Sequence, residues 1–105
     1  MFTLDKQGKP KRCNNTLKWG RWMQEIGKGR IVEQTNIGKV MVSTVFLGLD
    51  HSFGSKIPVL WETMIFGSKR KALAGYQERY TSLSGAKKGH KLAIKFVESF
   101  KRKVK

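Results

Sequence analysis

The stretch Lys39 to Leu47, KVMVSTVFL, decides the fold. Val40, Val42, Thr44 and Phe46 alternate with Met41, Ser43, Val45 and Leu47, so both faces of an extended chain here are largely apolar. A strand with two such faces belongs in the middle of a sheet. Upstream, the β-branched run Arg30 to Thr35 reaches it through Asn36, Ile37 and Gly38, which is a hairpin pattern. Downstream, a loop rich in Gly, Asp, His and Ser from Gly48 to Lys56 leads into Val59 to Phe66 and then Tyr76 to Thr81, two further strands. Gly67, Ser68, Lys69, Arg70, Lys71 and a short Ala72 to Gly75 stretch join those two, completing an antiparallel meander.

Helical periodicity flanks the meander on both sides. Asn14 or Asn15 is placed to cap a helix running to about Ile26, with Trp19, Trp22, Met23 and Ile26 on one face and Gly27 as its stop. Before it, Phe2 to Leu4 and Pro10 to Cys13 form a short hairpin around Gly8, which supplies a positive φ. A last helix starts from Thr81 or Ser82 and reaches about Lys101, with Leu83, Ala86, His90, Ala93, Ile94, Val97 and Phe100 as its apolar stripe. Gly85 and Gly89 weaken that helix but leave its surface smooth enough to lie close on a strand. The expected fold class is α+β: one domain over residues 1–105, a small antiparallel sheet of three to five strands, an early helix and a basic C-terminal helix, both on one face of the sheet.

The 105 residues carry 22 Lys plus Arg against 7 Asp plus Glu, a net charge of +15. So short a chain excludes an enzyme built from separate cofactor and substrate domains, and so much charge concentrates polyanions around it. With no run of 18 apolar residues and no apolar stretch after a basic start, a cytoplasmic protein without a membrane span is expected. Cys13 stands alone, so neither an internal disulfide nor a thiolate-rich zinc site is encoded.

The densest cations lie in the last helix, where Lys87, Lys88, Lys91, Lys95, Lys101, Arg102, Lys103 and Lys105 face only Glu98. Lys69, Arg70 and Lys71 crown the strand connection, and Lys9, Lys11, Arg12, Lys18 and Arg21 add a basic amino end. Lys outnumbers Arg 16 to 6, which favours point-charge contact with phosphates over bidentate reading of base edges. Lys69, Arg70, Lys71, Lys87, Lys88, Lys91, Lys95, Lys101, Arg102 and Lys103 are therefore the expected nucleic-acid contacts, with RNA and DNA both open. Tyr76, Tyr80, Phe66 and Trp61 would offer stacking rings if the outer sheet face were open. An alternative reading is a protein-interaction module that meets an acidic partner through Trp19, Trp22 and Trp61.

Catalysis would have to draw on Asp50, His51, Glu62, Glu78 and His90. A metal-dependent nuclease centre from Asp50, His51, Glu62 and His90 is the enzymatic alternative, but their spacings match no ligand pattern and neither a phosphate-cradling glycine loop nor a nucleophile elbow is present. The favoured expectation is no enzyme, no metal and no cofactor.

Val42 to His51 (VSTVFLGLDH) with Phe53 and Gly54, then Trp61 to Gly67, then Arg79, Tyr80, Thr81, Ala86, Gly89 and His90 resemble a family of small bacteriophage- and prophage-encoded proteins with motifs similar to VSTVFLGLDH, ETMxFG, and RYxT leading into AxxGH. The resemblance spans most of the chain. It implies a phage origin and action inside an infected bacterium, and brings no activity with it. Relatives tend to carry acidic residues where this chain has Lys18, Arg21, Lys87, Lys88 and Lys91, so the basic surface is expected to be its own specialisation. Asp50, His51, Glu62, Arg79, Tyr80 and His90 are expected to form a structural network, with Arg79 pairing Glu62 or Asp50 and His90 bonding the Asp50 loop. The combined expectation is a non-catalytic phage accessory protein that binds nucleic acid or a host ribonucleoprotein, an inhibitor of host defence of the anti-CRISPR kind being one concrete form.

Overall fold

A computed structural model describes residues 1–52 and 56–103, with the side chains of 101–103 outside the description. The fold is α+β. Strands β1 (Phe2–Leu4) and β2 (Pro10–Arg12) form a small hairpin; helix α1 (Thr16–Ile26) follows and passes through a 3-10 turn, Gly27–Arg30, into the main sheet. That sheet is an antiparallel meander in the order β3 (Ile31–Ile37), β4 (Val40–Phe46), β5 (Trp61–Phe66), β6 (Gln77–Tyr80). A single helical turn, α2 (Lys71–Ala74), bridges β5 and β6, and α3 (Leu83–Lys103) closes the chain.

Local chemistry explains most boundaries. Asn15 accepts from the Lys18 amide through Oδ1 at 3.1 Å and so caps α1. Ser82 does the same for α3, its Oγ accepting from the Gly85 amide at 3.0 Å. The β3–β4 turn is tighter than the expected Asn36-Ile37-Gly38: Ile37 pairs with Val40, leaving only Gly38 and Lys39 in the loop, with Gly38 at φ 63°. Ile37 stays in the strand because its side chain packs against the Val42 and Ile65 cluster. Strand β5 begins two residues later than the apolar run suggests, because the Val59 amide is diverted to the Asp50 carboxylate at 2.9 Å. Tyr76, expected in the last strand, lies before it, and its ring packs on Phe96 at 5.5 Å instead.

Strand β4 is central, as its two apolar faces require. Val42, Thr44 and Phe46 face α3 together with their partners Ile65, Thr63 and Trp61 on β5. Two apolar clusters result. One gathers Phe2, Phe46, Leu60, Trp61 and Ala86, with Trp22 and Tyr80 at its margin; the other gathers Val42, Ile65, Leu73, Ala93 and Val97. A bulge between Ile31 and Glu33 turns Val32 into the first cluster while Glu33 still opposes Thr44. Among the described residues no helix is long and apolar enough to cross a membrane.

Helix α3 lies so close to β6 that a Cβ on Gly89 would enter the Tyr80 ring. Gly20, inside α1, has nothing within 4 Å of such a Cβ. The two glycines are thus chemically alike and structurally opposite. Gly89→Ala is expected to destabilise by about 1–3 kcal/mol through overpacking, more than the helix propensity it gains, whereas Gly20→Ala should stabilise by up to about 1 kcal/mol. Urea unfolding of both variants checks this, and a Gly89→Ala chain at least as stable as the parent would refute the close contact.

Candidate nucleic-acid interface

The outer face of α3 carries Lys87, Lys88, Lys91 and Lys95, all exposed, while Ala86, Gly89, His90, Ala93 and Val97 face the sheet. Four-residue spacing stacks Lys87, Lys91 and Lys95 along one line of the helix. The second expected cluster, Lys69, Arg70 and Lys71, is more than fifteen residues away in sequence but meets the same helix. Leu73 of α2 is buried against Ala93 and Val97, and the Arg70 guanidinium sits 5.5 Å from the centre of the Phe100 ring. Phe100 in turn packs edge-on against Phe96 at 5.1 Å. Apolar anchoring therefore brings the loop cations alongside the carboxyl half of α3. The side chains of Lys101, Arg102 and Lys103, and the whole of Lys105, lie outside the described residues, as do Phe53 and Gly54.

Acidic groups do little to neutralise this surface. Among the described residues Glu62 forms an ion pair with Arg79, at 2.9 Å, and the Glu33 carboxylate lies 3.6 Å from the buried His90 imidazole. Asp5 accepts from the amides of Gln7 and Lys9 in the β1–β2 turn. Asp50 accepts from those of Val59 and Ser52, and the Val59 bond first of all holds its carboxyl below the usual range. Four of the seven carboxylates are thus committed to turns, loops or the sheet.

The expected structural network divides in two. Arg79 pairs with Glu62 across β5 and β6, and Gln77 Nε2 donates to the same carboxylate oxygen at 2.9 Å. His90 does not reach the Asp50 loop. Its Nδ1 lies 2.7 Å from Thr44 Oγ1 and its Nε2 lies 2.9 Å from Thr35 Oγ1, with Thr44 and Thr63 hydroxyls 2.5 Å apart. The Glu33 carboxylate beside Nε2 favours the proton there, so that Nε2 donates to Thr35 and Nδ1 accepts from Thr44. Tyr80 neighbours Thr63 at the far end, and burial raises its phenol pKa. The threonines were hidden in the sequence by their strand propensity, although Thr44 and Thr63 interrupting two apolar faces was the available signal.

The same geometry places two further sets of expected residues. Glu62 projects from the sheet face opposite Trp61 and Thr63, whereas His90 is buried on the helix side, so Asp50, His51, Glu62 and His90 do not converge on one centre. Among the described residues no three His, Cys, Asp or Glu side chains form a metal-ligand group. The tryptophans are largely occupied. Trp61 is 4% exposed in the core, Trp22 packs edge-on against Phe46 at 6.0 Å, and Trp19 Nε1 donates to the carbonyls of Phe2 and Gly48. Of the four rings considered for stacking, Trp61 and Tyr80 pack on the helix side and Tyr76 packs on Phe96, leaving Phe66 exposed on the outer face. Comparison of the chain with known protein families, with curated proteins and with solved structures found no match.

Burial lowers the His90 pKa and Glu33 only partly offsets this, so the folded chain binds fewer protons there than the unfolded chain. Stability is full above the unfolded value of about 6.5 and declines as pH falls through it. Urea midpoints should therefore drop between pH 7.5 and pH 5.5, well above the range in which Asp50 titrates. In a His90→Leu chain the unfolding free energy should be lower at pH 7.5, by about 1–3 kcal/mol for the stranded hydroxyls, and most of the drop in midpoint toward pH 5.5 should vanish. An unaltered slope would show that His90 is not the group responsible.

Proposed function

We propose that this protein binds nucleic acid through the phosphate backbone, without chemistry of its own, using the outer face of α3 and the Lys69 to Lys71 corner. The observation that carries the reading is the docking of a second exposed basic cluster, distant in sequence, against the flank of the lysine-bearing helix by the Arg70–Phe100 and Leu73 contacts. Lysine is the dominant cation there, and ammonium groups meet phosphates as point charges without reading base edges. Binding is therefore insensitive to sequence. The resemblance to phage-encoded proteins adds a setting, an infected bacterium, in which a host ribonucleoprotein or the nucleic-acid channel of a defence nuclease would present such a backbone.

Counterion release makes the proposal measurable. The logarithm of the binding constant should fall linearly with the logarithm of salt concentration, and each lost phosphate contact should flatten the slope by about 0.7 on a single strand or about 0.9 on duplex DNA. Lys87→Gln, Lys91→Gln and Lys95→Gln together should weaken binding at low salt and reduce the slope by about 2.1 to 2.7. Binding that ignores salt, or a host protein still captured after complete nuclease digestion, would replace this reading with a protein interface.

A further inference from the structure

Resting on the phosphate-binding reading, we propose that the preferred ligand is a double-stranded helix, gripped across a groove by two rows of cations. Lys87, Lys91 and Lys95 form the first row, at steps of about 6 Å along an α-helix. Lys69 and Lys71 belong to the second. Arg70 between them docks on Phe100, and helical periodicity puts Phe96 and Phe100 on the flank of α3 turned away from the Lys91 and Lys95 line. The body of the helix thus separates the rows, a width of about 10–12 Å. A single strand offers one row of phosphates, whereas a B-form duplex offers two across a major groove about 12 Å wide.

The aromatic side chains support the same choice. Proteins that hold single strands stack bases on exposed rings. Here the rings beside the cations are already engaged: Phe96 lies against Tyr76 and Phe100, and Phe100 is covered by Arg70. Phe66, 45% exposed, is on the sheet face turned away from α3. Leu92, 62% exposed among the lysines, offers apolar contact without a stacking plane. Glu98 is the carboxylate on the helix's outer face and interrupts the first row beyond Lys95. The grip is therefore short, centred on Lys91 and Lys95.

The experiment is fluorescence anisotropy with the full chain and four probes of equal length: a DNA duplex, an RNA duplex, and one strand of each. The DNA duplex should bind about tenfold or more tightly than its own single strand at equal salt, and more tightly than the RNA duplex, whose A-form major groove is too deep and narrow for this grip; preference for the RNA duplex would overturn the two-row geometry. The Lys69→Gln/Lys71→Gln chain should then lose about 1.8 from the duplex DNA slope, about 0.9 for each contact. Single strands binding as tightly as both duplexes would overturn the duplex proposal and leave the phosphate reading standing, as would a duplex slope unmoved by the Lys69→Gln/Lys71→Gln change. Failure of all four probes to bind would overturn both.

Discussion

The close approach of α3 to the sheet is the constraint from which the rest of the structure follows. Gly89 admits the Tyr80 ring, and Ala86 and Ala93, one turn to either side, are fully buried. Small residues along one line of the helix let it settle onto β4, β5 and β6, and this fixes what its other side chains must do. Phe96 and Phe100 cannot fit beneath it, so they pack at its flank and provide the seat for Tyr76 and Arg70. The lysines have only the outward direction left. The basic surface is thus a consequence of how the helix is seated as well as of composition.

The same approach buries an imidazole between two apolar clusters. His90 sits between Ala86 of one and Ala93 of the other, and its partners Thr35 and Thr44, with Thr63 bonded to Thr44, extend across three strands. A leucine there would leave the Thr35 and Thr44 hydroxyls without the imidazole and would impose no rotational setting on the helix. Directional bonds from both ring nitrogens hold one register of α3 on the sheet, which hydrophobic contact alone does not specify. Glu33, half exposed at the rim, adds a carboxylate beside an imidazole that burial keeps neutral.

Much of this was legible in the sequence. The β1–β2 hairpin, both caps, the central place of β4 and the buried stripe of α3 follow from local propensity and periodicity, because each depends on residues within one element. What escaped was contact between elements far apart in sequence. Thr44 reads as an ordinary strand residue until His90 arrives from forty-six positions away, and Phe100 reads as core until Arg70 is placed over it. Asp50 and His90 looked like partners because both are polar in apolar surroundings. Asp50 instead satisfies amides of its own loop, the cheaper solution for a carboxylate next to a turn.

Charge and fold are coupled more tightly than the net value of +15 conveys. With Asp5, Asp50, Glu62 and Glu33 engaged in turns, loop, sheet and imidazole contact, few carboxylates remain to screen the lysines from one another. The free chain therefore carries self-repulsion that its modest core must offset. A polyanion laid along α3 removes that repulsion at the place where it is densest, and anything that binds the folded chain and not the unfolded one stabilises it by mass action. Lysines that repel one another in the isolated protein would thereby stabilise a complex with such a ligand.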